Sequence, residues 1–168
     1  GNALFNQTEE HQIKISDIYT SWGWQSTNQS RVEPLPSLKL SNQYIKHKKN
    51  DKLVVILTSY PKYFYCHYSI PVADQFFSYL DNQVSFLNKL NPSIIKRLLI
   101  KPDPSFEGKS WDANLYISNK GFADNFMKTN KNMYEVLEES NLCICTNNAT
   151  TFLETLASNY PTIIFWDN

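Results

Sequence analysis

Three stretches of this sequence carry side chains whose types and spacing suit a phosphorylated ligand. The first is "CTNNATTFLE", residues 145–154, where Thr146, Asn147, Asn148, Thr150 and Thr151 precede a helical pattern. A helix beginning near residues 149–151 presents unpaired backbone N–H groups and the positive end of its dipole to an anion. The same spacing has a second physical reading. Thr151-x-x-Glu154 matches a capping box, in which the two side chains satisfy each other's backbone donors and Glu154 is structural. Spacing alone leaves both open. The second stretch is "LLIKPDP", where Lys101 follows a strand and either lends charge to a diphosphate or sits solvated at a strand end. The third is "TSYPKYFYCHY", residues 58–68, with Lys62, His67 and four tyrosines. Tyr60 and its neighbours suit stacking on a base or sugar. His67 suits a base, a phosphate partner, or a partly buried hydrogen-bonding role. In Trp22-Gly23-Trp24, two large rings either line a sugar or anchor an arm.

Several other chemistries are excluded. No Ser-His-Asp arrangement can be assembled on spacing grounds, so no catalytic residue is assigned. There is no glycine-rich phosphate loop and no HExxH, and with four glycines a dinucleotide fingerprint is ruled out. Lys+Arg and Asp+Glu both count 16, so no basic field recruits nucleic acid and any phosphate recognition is local. The three cysteines lack metal-ligand spacing. Cys143 and Cys145 alternate along a strand and share a face, which suits buried free thiols in reduced cytoplasm. No metal and no cofactor are expected. The longest purely aliphatic run, 53–57, is too short to cross a bilayer, and no charged-then-apolar leader opens the chain.

The elements that must position these residues follow from periodicity. Residues 1–50 mix turn-formers with aromatic anchors and are expected to be an irregular N-terminal arm or linker, with Pro34 and Pro36 forcing an extended path. From residue 51 the pattern is regular. "DKLVVILTSYP" is a strand buried on both faces. In the next segment Phe76, Leu80, Val84 and Leu87 recur at helical spacing, with Asp74 at the positive end and Asn91-Pro92 as the stop. "IIKRLLIKPDP" is a second strand, and residues 105–121 read as a long surface loop. Met133, Val136 and Leu137 mark a helical face, "LCIC" a strand, "TTFLETLASN" a helix and "TIIFW" a last strand. This alternation predicts an α/β domain over 51–168: a Rossmann-like parallel sheet flanked by helices, with strand order unreadable. Because the apolar run 162–166 stops two residues before the end, the domain is expected to be truncated at its C-terminus. In such sheets ligands bind beyond the carboxyl ends of the strands, where 58–65, 101–103 and 146–151 all fall.

The stretches "SNLCICTNNATTFLETLASNYPTIIFWD", "PLPSLKLS" and Thr20-Ser21-Trp22-Gly23-Trp24 resemble a bacterial family of surface-carbohydrate biosynthesis transferases. The first is also similar to the nucleotide-sugar-binding half of two-domain GT-B glycosyltransferases. The resemblance implies one half of a GT-B enzyme that moves a sugar from a nucleotide-sugar onto a bacterial surface polysaccharide or its precursor. By position it implies residues 146–151 for the donor diphosphate, Glu154 for the ribose and Lys101 for the phosphates. Related capsule enzymes carry His-Pro after that lysine, where this chain reads Lys101-Pro102-Asp103-Pro104. The implied partners are a nucleotide-sugar donor, a carbohydrate acceptor and a second Rossmann-like domain, which would hold the general base. The chain alone is then expected to bind donor without turnover, in the cytoplasm or peripheral to the inner membrane. Two rival readings share the pattern: a nucleotide-sugar epimerase-like enzyme, and a non-catalytic binding or scaffold module.

Overall fold

The computed structural model describes residues 7–21, 23–38, 40–41, 44–46, 50–63, 74–104, 108–128, 131–147 and 150–165. The chain divides into two compact units, residues 1–43 and 44–168. In the first unit, α1 (Gln7–Ile15) precedes a parallel pair, β1 (Tyr19–Ser21) and β2 (Val32–Pro34). The expected irregular arm therefore carries secondary structure. Turn-formers between short apolar anchors hid it, because three-residue strands leave almost no period to read. The Trp24 ring lies 6.3 Å from that of Tyr19, within the same unit.

The second unit is a Rossmann-like α/β domain. Its four strands are β3 (Leu53–Ile56), β4 (Leu98–Lys101), β5 (Leu142–Cys145) and β6 (Thr162–Ile164), all parallel, in the order β4-β3-β5-β6. Their last residues align, Lys101 against Ile56, Ile56 against Cys145, and Cys145 against Ile164. All four chain exits therefore leave from one edge of the sheet.

Alternation along the strands splits the core in two. Val55, Leu98, Ile100 and Ile144 pack with α2 (Gln75–Lys89) and α4 (Ala113–Ile117). Val54, Cys143 and Cys145 pack with Val136 and Leu137 of α5 (Met133–Glu138) and with Phe152 of α6 (Thr150–Ala157). Both faces are covered over β3, β4 and β5, which explains their apolar runs, while Ile163 and Ile164 of the edge strand β6 are exposed. In α2 the buried apolar residues are Phe76, Leu80, Val84 and Leu87, as the helical spacing requires. Asn91-Pro92 lies beyond the end of α2 and opens a further turn, α3 (Pro92–Ile95), with the Asn91 side chain accepting from the Ser93 N–H. The Cys143 and Cys145 sulfurs lie 3.8 Å apart in the second core. The hydrogen bond with the Cys145 sulfur, and then burial, push the Cys143 thiol up from its ordinary range.

Residues 105–121, expected to be surface loop, contain α4 and part of a π-helical turn, Ser118–Phe122, which bury Ala113, Ile117 and Phe122. The Asp112 side chain caps α4 by accepting from the Leu115 N–H at 2.8 Å. Asn159 explains how α6 stops. It sits at φ 50, the Asn159 N–H donates to Leu156 O, and the Tyr160 N–H donates to Thr155 O. That pair of bonds is a Schellman motif, closed by Pro161. Asn159→Gly should leave stability nearly unchanged, whereas Asn159→Ala should cost about 1 kcal/mol from the left-handed backbone. Urea midpoints of the two variants check this, and an alanine variant as stable as the parent would refute the strain.

Candidate functional site

The exits of β3 and β4 diverge around a cleft of about 560 Å³ at the carboxyl edge of the sheet. One wall is formed by residues 57–59 and Lys62, the other by residues 101–104, and the rim by residues 110–114 with Met127 and Lys128. Local bonds hold these segments. The Leu57 N–H donates to Lys101 O at 3.0 Å, and the Lys62 N–H donates to Lys109 O at 2.8 Å beside the Pro61–Ser110 bridge. The Met127 N–H donates to Ile100 O at 3.0 Å. The Ser59 N–H donates to Asp103 Oδ2 at 3.2 Å, tying one exit to the other.

Three lysines and two aspartates line this cleft. Asp103 and Asp112 already accept backbone N–H bonds from Ser59 and Leu115. The Lys101 ammonium donates to Lys131 O at 3.1 Å, and the Lys62 ammonium lies 5.4 Å from the centroid of the Trp111 ring. Both cations thus rest on neutral groups, and among the described residues no carboxylate pairs with Lys62 or Lys101. An ammonium held this way keeps its charge available to an incoming anion. Trp111 also packs against Phe77, ring centroids 5.0 Å apart, and its buried indole N–H has no acceptor among the described residues.

The switch point of the sheet lies one strand over, between β3 and β5. Chain leaving β3 returns to the sheet as β4 on one side, and chain leaving β4 returns as β5 on the other. Three hydrogen bonds through two hydroxyls bind the two exits together there. Thr146 Oγ1 donates to Ile56 O at 2.7 Å and lies 2.6 Å from the Tyr79 hydroxyl. Since the one Thr146 hydroxyl proton goes to Ile56, Tyr79 donates to Thr146 and accepts the Thr58 N–H at 3.0 Å. Burial pushes the Tyr79 phenol up to about 12, so it stays protonated through the neutral range.

The candidates named from sequence are therefore dispersed. Lys101 and Lys62 face the cleft together. Tyr60 packs edge-on to Phe76, centroids 6.0 Å apart, against the core. Thr146 is 2% exposed with its hydroxyl committed inside the protein. Asn147 is half-buried at the β5 exit, Thr150 is exposed and Thr151 half-buried in the first turn of α6, and Glu154 is half-buried further along that helix. None of these lines the cleft. Because α6 begins at Thr150, Thr151 is a helical residue and cannot be the N-cap of a Thr151–Glu154 capping box. A capping box does occur at α5, between Asn132 and Glu135. Trp22, His67 and Asn148 lie outside the described residues.

Ser59 and Asp103 fall inside the strand-exit segments that the sequence marked, whereas Trp111 and Lys128 were missed. The one local signal was Asp112, a helix-capping residue type three positions before Leu115. A family model described as LIC12162 family transferase matches residues 1–168. The chain belongs to the LIC12162 transferase family. No curated protein and no solved structure matches it. In this LIC12162 family transferase no helix among the described residues is long and apolar enough to cross a membrane.

Proposed function

We propose that this chain is the donor-binding domain of a glycosyltransferase that moves a sugar from a nucleotide-sugar onto a bacterial surface polysaccharide or its precursor. The observation that carries the reading is Lys101: an ammonium at the carboxyl edge of a parallel sheet, bonded to a backbone carbonyl and open to a polar cleft. Glycosyl transfer leaves a phosphate carrying growing negative charge, and fixed cations stabilise that charge without moving protons. Lys101 and Lys62 are the phosphate ligands in this reading. The β5 exit and the start of α6, with Asn147, Thr150 and Thr151, take the rest of the nucleotide, and Glu154 takes the ribose. The β4 and β5 ends are two strand spacings apart, about 10 Å, a span that a nucleoside diphosphate covers.

The acceptor and the general base belong to a second Rossmann-like domain, so the chain alone binds donor and does not turn over. Its place is in the cytoplasm or against the inner face of the membrane. Calorimetric titration with CMP, UDP, GDP and ADP tests the reading. One nucleotide should bind selectively, at least tenfold tighter than the others. Equal, weak binding of all four, or none, overturns it.

A further inference from the structure

We propose that Tyr79 is a positioning residue for this ligand site, acting through Thr58 and Thr146 and touching no ligand itself. The inference rests on the donor-binding reading above.

Tyr79 comes from α2, whose neighbouring inward residues Phe76 and Leu80 are apolar and fully buried. Its ring stacks on Phe76, centroids 5.5 Å apart at 18°, so the phenol has little freedom to swing. The hydroxyl then reaches the two exits that the ligand reading uses. On one side it accepts from the Thr58 N–H, and Thr58 lines the cleft. On the other it donates to Thr146, the first residue beyond β5. Thr146 passes its own proton back to Ile56 O, the last residue of β3. The loop of bonds is closed and directional, because each hydroxyl proton has one acceptor and each step depends on the one before.

The consequence is geometric. The lysines lie on the β3 and β4 exits, while the nucleotide segment leaves β5. Strand pairing ends at Ile56 and Cys145, so beyond those residues the ladder no longer holds the two exits in register. The Tyr79 hydroxyl bonds to both exits just past the last ladder pair. Removing the hydroxyl strands the Thr58 N–H at a site 8% exposed, and the cheapest remedy is a shift of the β3 exit toward another acceptor or water.

Nucleotide affinity, measured well below the melting point of each variant, separates positioning from mere stability. The ligand is whichever of CMP, UDP, GDP and ADP the parent chain binds. Tyr79→Phe and Thr146→Val should each weaken it roughly fivefold, and the double variant should be no weaker than the worse single. Thr146→Ser keeps the hydroxyl and should bind like the parent. If Tyr79→Phe melts earlier yet binds with the parent affinity, Tyr79 is structural and the inference falls while the donor reading stands. Independent, multiplying losses would also overturn the shared network. A parent chain that binds none of the four nucleotides sinks the donor reading and this inference together.

Discussion

Lys101→Met is expected to weaken nucleotide binding roughly 10- to 100-fold, the value of one charge-assisted contact to phosphate. Methionine keeps the unbranched stem at the end of β4 and removes only the ammonium. Its structural cost is the bond to Lys131 O, about 1 kcal/mol, which lowers the melting temperature by a few degrees and leaves the fold intact. The two effects separate because the carbonyl of Lys131 is neutral and the phosphate is not. Raising the salt concentration should shrink the parent's advantage over the variant, since a partly exposed cation is screened. Equal affinity in parent and variant, with only the melting point lowered, would make Lys101 a strand-end lysine closing a neighbouring turn. Lys62→Met should show a smaller loss, because the cation over Trp111 must leave its ring to reach a ligand.

How much of this arrangement was legible in the sequence depended on whether the information was local. The strands of the sheet announced themselves as short apolar runs, β-branched in β3, and α2 as four apolar residues at helical spacing, because burial by neighbours selects those residues. The order β4-β3-β5-β6 was not legible. It depends on which way each crossover turns, and no single segment encodes that. Short α4 was missed for a different reason: five residues give one turn and no repeat, and the Gly121 backbone at φ 98 breaks the pattern just beyond it. The cleft suffers from both limits. Ser59 and Asp103 fall within the marked strand exits, but they meet Trp111 only because β3 and β4 pair and α4 folds back on them, which spacing along the chain does not carry.

The C-terminal stretch teaches the opposite caution. Its Asn159, Tyr160 and Pro161 terminate α6, and the Tyr160 hydroxyl donates to Ser140 O at 2.5 Å. Much of what makes that stretch recognisable therefore serves the fold. Thr146, a candidate donor to phosphate, spends its hydroxyl on β3. A family likeness in such a segment transfers the architecture more securely than it transfers each ligand contact.

Glu154 is the residue in which these two kinds of information can be separated by experiment. The helix start at Thr150 removes the capping-box role, leaving a half-buried carboxylate one turn into α6. Glu154→Gln keeps the shape and a nearly equal helix propensity, so the fold should persist. A carboxylate accepting from ribose hydroxyls makes charge-assisted bonds about twice as strong as those of an amide. Nucleotide affinity should therefore fall roughly fivefold to tenfold in the variant. The 2′-deoxynucleotide supplies the second arm of a double-mutant cycle, because it lacks one of the hydroxyls in question. The parent should prefer the ribonucleotide, and Glu154→Gln should lose most of that preference. If the variant binds both forms more weakly by the same factor, Glu154 acts at a distance through its charge. If it binds both as the parent does, the carboxylate serves α6 alone, and the nucleotide site reduces to the lysine-lined cleft over β3 and β4.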